Sequence, residues 1–209
     1  DGKQLDRYAC CSELKMTDGI GYRDKTITGI GTFCHEYSHT LGLADLYDTD
    51  YEGSGGESAG VWISTSLMDG GNHNNFGNTP PYYNAIEREM LGICEPIRIT
   101  SDGSYSLGPL DKTNTVYRID TDHEDEYYLL ECRSGKGWDA YIGGQGMLVY
   151  HIDRSDRSSG YSENYGRVLK AYERWEAANE VNCRPDHQCA DLLEADGRND
   201  IFSHDIPAD

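Results

Sequence analysis

The stretch HEYSHTLGLAD, residues 35–45, restricts this chain more than any other feature of it. Histidines four residues apart converge on one point only if the segment between them is helical, because one helical turn then stacks both imidazoles on the same face. Two such nitrogens suit a transition-metal ion, and Glu36 projects beside it. A metal site that performs chemistry takes three protein ligands and keeps one position open. Gly42 can end the helix in a left-handed turn and send the chain back beneath the ion, where Asp45 brings a carboxylate oxygen. The expected ligands are therefore His35, His39 and Asp45. The competing role for Asp45 is a cap or salt bridge within LADLYD; Glu87 or Glu89 would then supply the third ligand. With a metal so held, Glu36 can take a proton from bound water and later deliver it to a leaving amine, which is the chemistry of hydrolysis.

The surrounding pattern places this motif on a helix. Ile30, Phe33, Cys34, Tyr37 and Leu41 recur at helical spacing through GIGTFCHEYSHTL, with Thr26 or Thr28 available as its cap. Before it, residues 3–16 read as one strand reaching a turn at Asp18 to Tyr22. After it come a Gly/Ser-rich loop (52–60) and the irregular stretch VWISTSLMDGGNHNNFGN, in which Met68 sits in a tight turn. Pro80 and Pro81 are expected to start a second helix, PPYYNAIEREMLG, closed by Gly92. Beyond Pro96 the period changes: IRIT, GSYSLG, TVYRID, EYYLLECR and GMLVYHID read as strands of an antiparallel region, followed by one helical piece, VLKAYERWEAANE. The chain thus divides into 1–95, bearing the metal motif, and 96–209, rich in β structure with acidic loops. The class is α+β.

Bulk properties exclude other functions. With 37 Asp and Glu against 18 Lys and Arg, the net charge is −19. Phosphate recognition needs clustered cations, so no nucleic-acid partner is expected. No run approaches the roughly 20 apolar residues of a membrane span. The N-terminus is polar and unlike a signal peptide, so targeting residues are expected upstream or already removed. Seven cysteines form no CxxC pair, and at least one must stay unpaired. Cys183 and Cys189 bracket a short polar loop across which a disulfide is expected, whereas Cys34 is expected as a buried thiol. The acidic runs DTDHEDE and DLLEADG offer oxygens for a structural Ca2+ without EF-hand spacing.

HEYSHTLGLADLYD, the SLMDGG turn and PPYYNAIEREMLG together resemble the immune inhibitor A family of secreted bacterial metallopeptidases, which are metzincin-type zinc enzymes. YYLLECRSGKGWDAYIGGQGMLVYHID and DLLEADG resemble later elements of the same family. The resemblance implies the C-terminal part of a metzincin-like catalytic domain, comprising active-site helix, Met-turn and second helix, ahead of an antiparallel β-rich region. It implies a zinc endopeptidase acting on extracellular proteins or peptides, secreted or at the cell surface. In that enzyme His35, His39 and Asp45 would hold one catalytic Zn2+, Glu36 would be general base and acid, and Met68 would form a hydrophobic base under the metal. Tyr82, Tyr83 and His73 are candidate oxyanion donors by position. The sequence departs from the family pattern at Ala44, where proline is usual, and this departure is expected to loosen the turn presenting Asp45. Only about 27 residues precede the helix, so the sheet that comes before it in such domains is expected to be incomplete and this segment alone inactive. The alternative is a non-catalytic protein- or glycan-binding fragment with a vestigial or structural zinc.

Overall fold

The computed structural model describes residues 8–16, 25–49, 61, 64–158, 167–183, 187–193 and 195. The expected turn at 18–22 and the loop at 52–60 lie outside them. The described part is mixed α/β, with sheets that are antiparallel except for one strand pair. Of the expected strand over 3–16, residues 3–7 lie outside the described ones, 8–13 form no strand, and β1 (Leu14–Met16) pairs antiparallel with β2 (Lys25–Ile27) in the register Leu14↔Ile27.

Helix α1 (Ile30–Thr40) carries the histidines, but it turns the opposite way to its apolar stripe. Gly31, His35 and Ser38 face inward, while Ile30, Phe33, Tyr37 and Leu41 are exposed, with Phe33 and Tyr37 stacked at 5.8 Å. The reason is backbone contact. A 3-10 segment (Gly70–Gly77) lies so close that a Cβ on Gly31 would meet the Asn72 carbonyl at 2.0 Å, and one on Gly29 would meet the Gly77 carbonyl at 2.2 Å. Small residues, not large apolar ones, define the packed face. Gly29 is accordingly the N-cap, without a side-chain hydrogen bond, in place of the expected threonines. The C-terminus behaves as expected: Gly42 adopts φ +105° and Leu43 N–H reaches back to Ser38 O at 3.2 Å.

Helix α2 (Ala85–Met90) begins after the prolines, because Asn84 and Glu87 form a reciprocal capping box that fixes the start at Ala85. Beyond it runs a five-stranded sheet in the order β3 (Ile97–Arg98), β4 (Tyr117–Asp120), β5 (Glu126–Arg133), β6 (Gly146–Asp153) and β9 (Ala190–Leu192). The β3–β4 pair is parallel, correcting the expectation of a wholly antiparallel region. β5 buries every second residue, as an alternating strand over a core must. GSYSLG forms no strand; a short helix, α3 (Leu110–Thr113), follows it between Pro109 and the left-handed Asn114. The expected late helix is divided as well. Two-residue strands β7 (Arg157–Ser158) and β8 (Val168–Leu169) form a hairpin, leaving one π-helical turn (Glu173–Ala177) that ends at the left-handed Asn179.

One apolar core joins all of this, including Leu46, Met68, Ile86, Leu129, Tyr150 and Trp175. Arg133, buried on β5, crosses to the N-terminal half: it grips Asp139, reaches Glu131, and donates to the carbonyls of Thr65 and Tyr82. A buried guanidinium satisfied on every side is expensive to disconnect. All seven cysteines are free, so the expected Cys183–Cys189 bridge does not form; Cys183 Sγ instead lies 3.3 Å from Thr49 Oγ1. Among the described residues, no helix is long and apolar enough to cross a membrane.

Candidate metal centre

His35 and His39 stand one turn apart on α1 with rings edge to face, their centroids 4.9 Å apart. The Nδ1 of His35 bonds to Leu67 O at 2.8 Å, and the Nδ1 of His39 bonds to Leu43 O at 2.9 Å. Each ring therefore donates from Nδ1 to a carbonyl and turns the lone pair of Nε2 toward a shared point, the second-shell arrangement that fixes a ligating imidazole. The chain returning past Gly42 places Asp45 Oδ1 at that point, 3.1 Å from His35 Nε2 and 3.4 Å from His39 Nε2. Hydrogen-bond geometry is met to neither, and Oδ1 is a buried oxygen without a partner. Three atoms with lone pairs thus converge, two of them on buried side chains, an arrangement that a cation between them would satisfy.

The three groups also shift one another's protonation equilibria. Burial alone would lower His35, but Asp45 and the Leu67 carbonyl raise it; Asp45 is the largest influence raising His39. Burial would raise the Asp45 carboxyl, but His35, His39 and Asn179 outweigh it and hold it well below the usual carboxylate range. The potential ligand atoms of His35, His39 and Asp45 lie within 4.8 Å of one another. This donor set, two imidazoles and one carboxylate, suits zinc.

The residues that hold these ligands come from distant parts of the chain. Asn179 clamps Asp45 from both sides, accepting its backbone N–H at 2.6 Å and donating to its Oδ2 at 2.8 Å. The turn expected to loosen at Ala44 is thus pinned from 134 residues away. Met68 is fully buried, and its carbonyl accepts the N–H of Leu46 at 2.8 Å. Glu87 ties this turn to α2, accepting from Met68 N–H at 2.8 Å, Ser66 Oγ at 2.7 Å and Asn84 N–H at 2.7 Å. Glu89 is engaged elsewhere, by the Tyr127 hydroxyl at 2.7 Å and by Arg118. Neither glutamate joins the histidines.

Glu36 is half-buried and close enough to His39 to raise it electrostatically. Among the described residues its carboxylate has no hydrogen-bond partner, which leaves it available to a water. Of the three oxyanion candidates, Tyr83 bonds to Ser38 at 2.6 Å, and the Tyr82 hydroxyl lies against Gly137. The pKa of His73 is lowered by burial, then by the neighbouring His35 and Lys15. His73 lines an open cleft of about 520 Å³ together with Leu14, Lys15, Gly29, Thr32 and Phe76. Cys34 packs partly against the core, and burial keeps its thiol up. Sequence reasoning missed Asn179 and the Leu43 and Leu67 carbonyls. A backbone acceptor has no side-chain signature, and the only local signal for Asn179 was an asparagine after a helical run.

Residues 16–92 match the family model described as immune inhibitor A peptidase M6, catalytic domain. A stretch of 64 residues is 42% identical to Immune inhibitor A of Bacillus thuringiensis subsp. alesti, covering 30% of this chain and 9% of that protein. No solved structure matches the chain. The matched segment, residues 16–92, is the one in which the helix, the returning loop, the Met68 turn and α2 meet.

Proposed function

We propose that this chain is the metal-binding part of a secreted, metzincin-like zinc endopeptidase that hydrolyses peptide bonds of extracellular proteins. His35, His39 and Asp45 are its zinc ligands and Met68 the hydrophobic support beneath them. The observation that carries this reading is the buried, unpartnered Oδ1 of Asp45 facing two imidazole nitrogens whose other sides are already bonded. When bound, zinc supplies Lewis acidity to the scissile carbonyl and to the attacking water. Glu36 accepts the proton of that water and passes it to the departing amine, from a helix position that keeps its carboxylate beside the ligands. His73, close enough to His35 to be influenced electrostatically, is the proposed donor to the developing oxyanion. Secretion and an accompanying structural Ca2+ rest on the family resemblance.

A non-catalytic binding fragment with a structural zinc is the competing reading. A structural site is closed by a fourth protein ligand, and among the described residues this cluster contains three. The test is Glu36→Gln in the full chain, assayed on a denatured protein substrate with metal content measured in parallel. The account predicts a loss of about 10²–10⁴-fold in turnover with zinc retained. Undiminished cleavage would remove Glu36 from the mechanism, and a zinc-loaded wild type without any cleavage would favour the binding fragment.

A further inference from the structure

β6 and β9 bring a second set of metal-type donors together, far along the chain from the first. Their antiparallel register, Tyr150↔Leu192 through Ile152↔Ala190, is extended by Asp153 N–H donating to Cys189 O at 2.9 Å. Asp153 therefore stands opposite Cys189, and opposed residues project from the same face with Cβ atoms roughly 4.5–5.5 Å apart. The loop entering β9 adds His187, whose Nε2 lies 2.8 Å from Asp153 Oδ2. Carboxylate, imidazole and thiol atoms all fall within 4.8 Å of one another. Asp153 is 0% and Cys189 3% exposed.

We infer that Asp153, His187 and Cys189 form a second zinc site, distinct from the first. Tetrahedral zinc with bonds of about 2.0–2.3 Å separates its ligand atoms by roughly 3.3–3.8 Å, so small side-chain rotations close this cluster around one ion. A set containing sulfur and imidazole nitrogen selects zinc over Ca2+ or Mg2+. The His151 ring lies 5.9 Å from that of His187.

The bland reading is an ion-pair network. Asp153 Oδ1 accepts Ser155 N–H at 2.7 Å, its Oδ2 also meets Arg157, and Arg157 bridges on to Glu126, which faces His151 at 3.6 Å. Arg174 closes the cluster by donating to the carbonyls of Asp153 and Ser155. That network accounts for the carboxylates and guanidiniums and leaves the thiol unused. Cys189 Sγ has only a 4.0 Å contact to the His187 carbonyl, and its burial denies it to any substrate as a nucleophile. Zinc would displace the thiol proton and use the sulfur as a ligand, while Arg157 keeps Glu126 as its partner. The consequence reaches the first site. Asn182 accepts the N–H groups of Cys189 and Ala190 and donates to Leu46 O, so a fixed Cys189 steadies the strand and loop against which Asp45 is held.

The experiment titrates Co2+ into the chelator-treated full chain and reads both stoichiometry and the near-ultraviolet thiolate-to-cobalt charge-transfer band. Two equivalents and a thiolate band are expected. His35→Ala/His39→Ala should lose one equivalent and keep the band; Cys189→Ser should lose the other equivalent and the band. Cys34→Ser should change neither. Absence of the band in the wild type, or its loss in Cys34→Ser but not in Cys189→Ser, would overturn the site and leave the ion-pair network. Failure of the first site alone is distinguishable, because the band would then be unaffected.

Discussion

Asn179 bonds both the backbone N–H and Oδ2 of Asp45, and under the proposed function that pair decides how well the third ligand is presented. Asn179→Ala removes both bonds while leaving the histidines and Glu36 in place. A lost second-shell partner costs about 10–100-fold in metal affinity, so a competitive chelator titration should show a weakening of that order; unchanged affinity would mean that Asp45 needs no clamp. Glu87 gives a different signature. Its burial raises the carboxyl above the ordinary value of about 4.3, against the pull of Met68, Ser66, Asn84 and Arg133. A raised folded pKa contributes stability that is complete below the ordinary value and is lost as pH rises through the folded one. Glu87→Gln has nothing to titrate there, so it should gain on the wild type as pH rises through that window. Thermal midpoints of both proteins from acid to neutral pH read this directly, and a constant gap would contradict it. The convergence of His35, His39 and Asp45 could be read from sequence because helical spacing and ligand count are local rules. Asn179 could not, because its role depends on a chain return of more than a hundred residues.

At the scale of elements, the strands carried the clearest sequence signal and the first helix misled. EYYLLECR and GMLVYHID become β5 and β6 over the lengths their alternation suggested. The apolar stripe of α1 does not mark its buried face, because close backbone packing against the 3-10 segment is decided by Gly29 and Gly31, which have no hydropathy to read. Gly31→Ala tests this. The added methyl would lie 2.0 Å from the Asn72 carbonyl, and such overpacking typically costs about 1–3 kcal/mol. Urea unfolding should register that loss, together with weaker zinc binding as α1 is pushed away from Leu67. A stability within about 0.5 kcal/mol of wild type would mean that α1 is not seated as described. The late helix and GSYSLG failed for a related reason: short segments follow their partners and caps more than their own propensity.

Across the whole molecule, the change of sequence character near residue 95 does not interrupt the core. Leu46 and Met68 pack in the same cluster as Leu129 and Trp175, and Arg133 reaches back to Thr65 and Tyr82. Long-range closure of this kind leaves little trace in local periodicity, which is why the β character of the later strands could be recognised from sequence but not the hold of Asn179 on Asp45. The account stands on a metal held where Asp45 meets the two imidazoles, and an anomalous diffraction map at the zinc edge tests it most directly. The account predicts a peak bonded by Nε2 of His35, Nε2 of His39 and a carboxylate oxygen of Asp45, with one position open to solvent. An empty site in zinc-saturated crystals, or a peak closed by a fourth protein ligand, would contradict it.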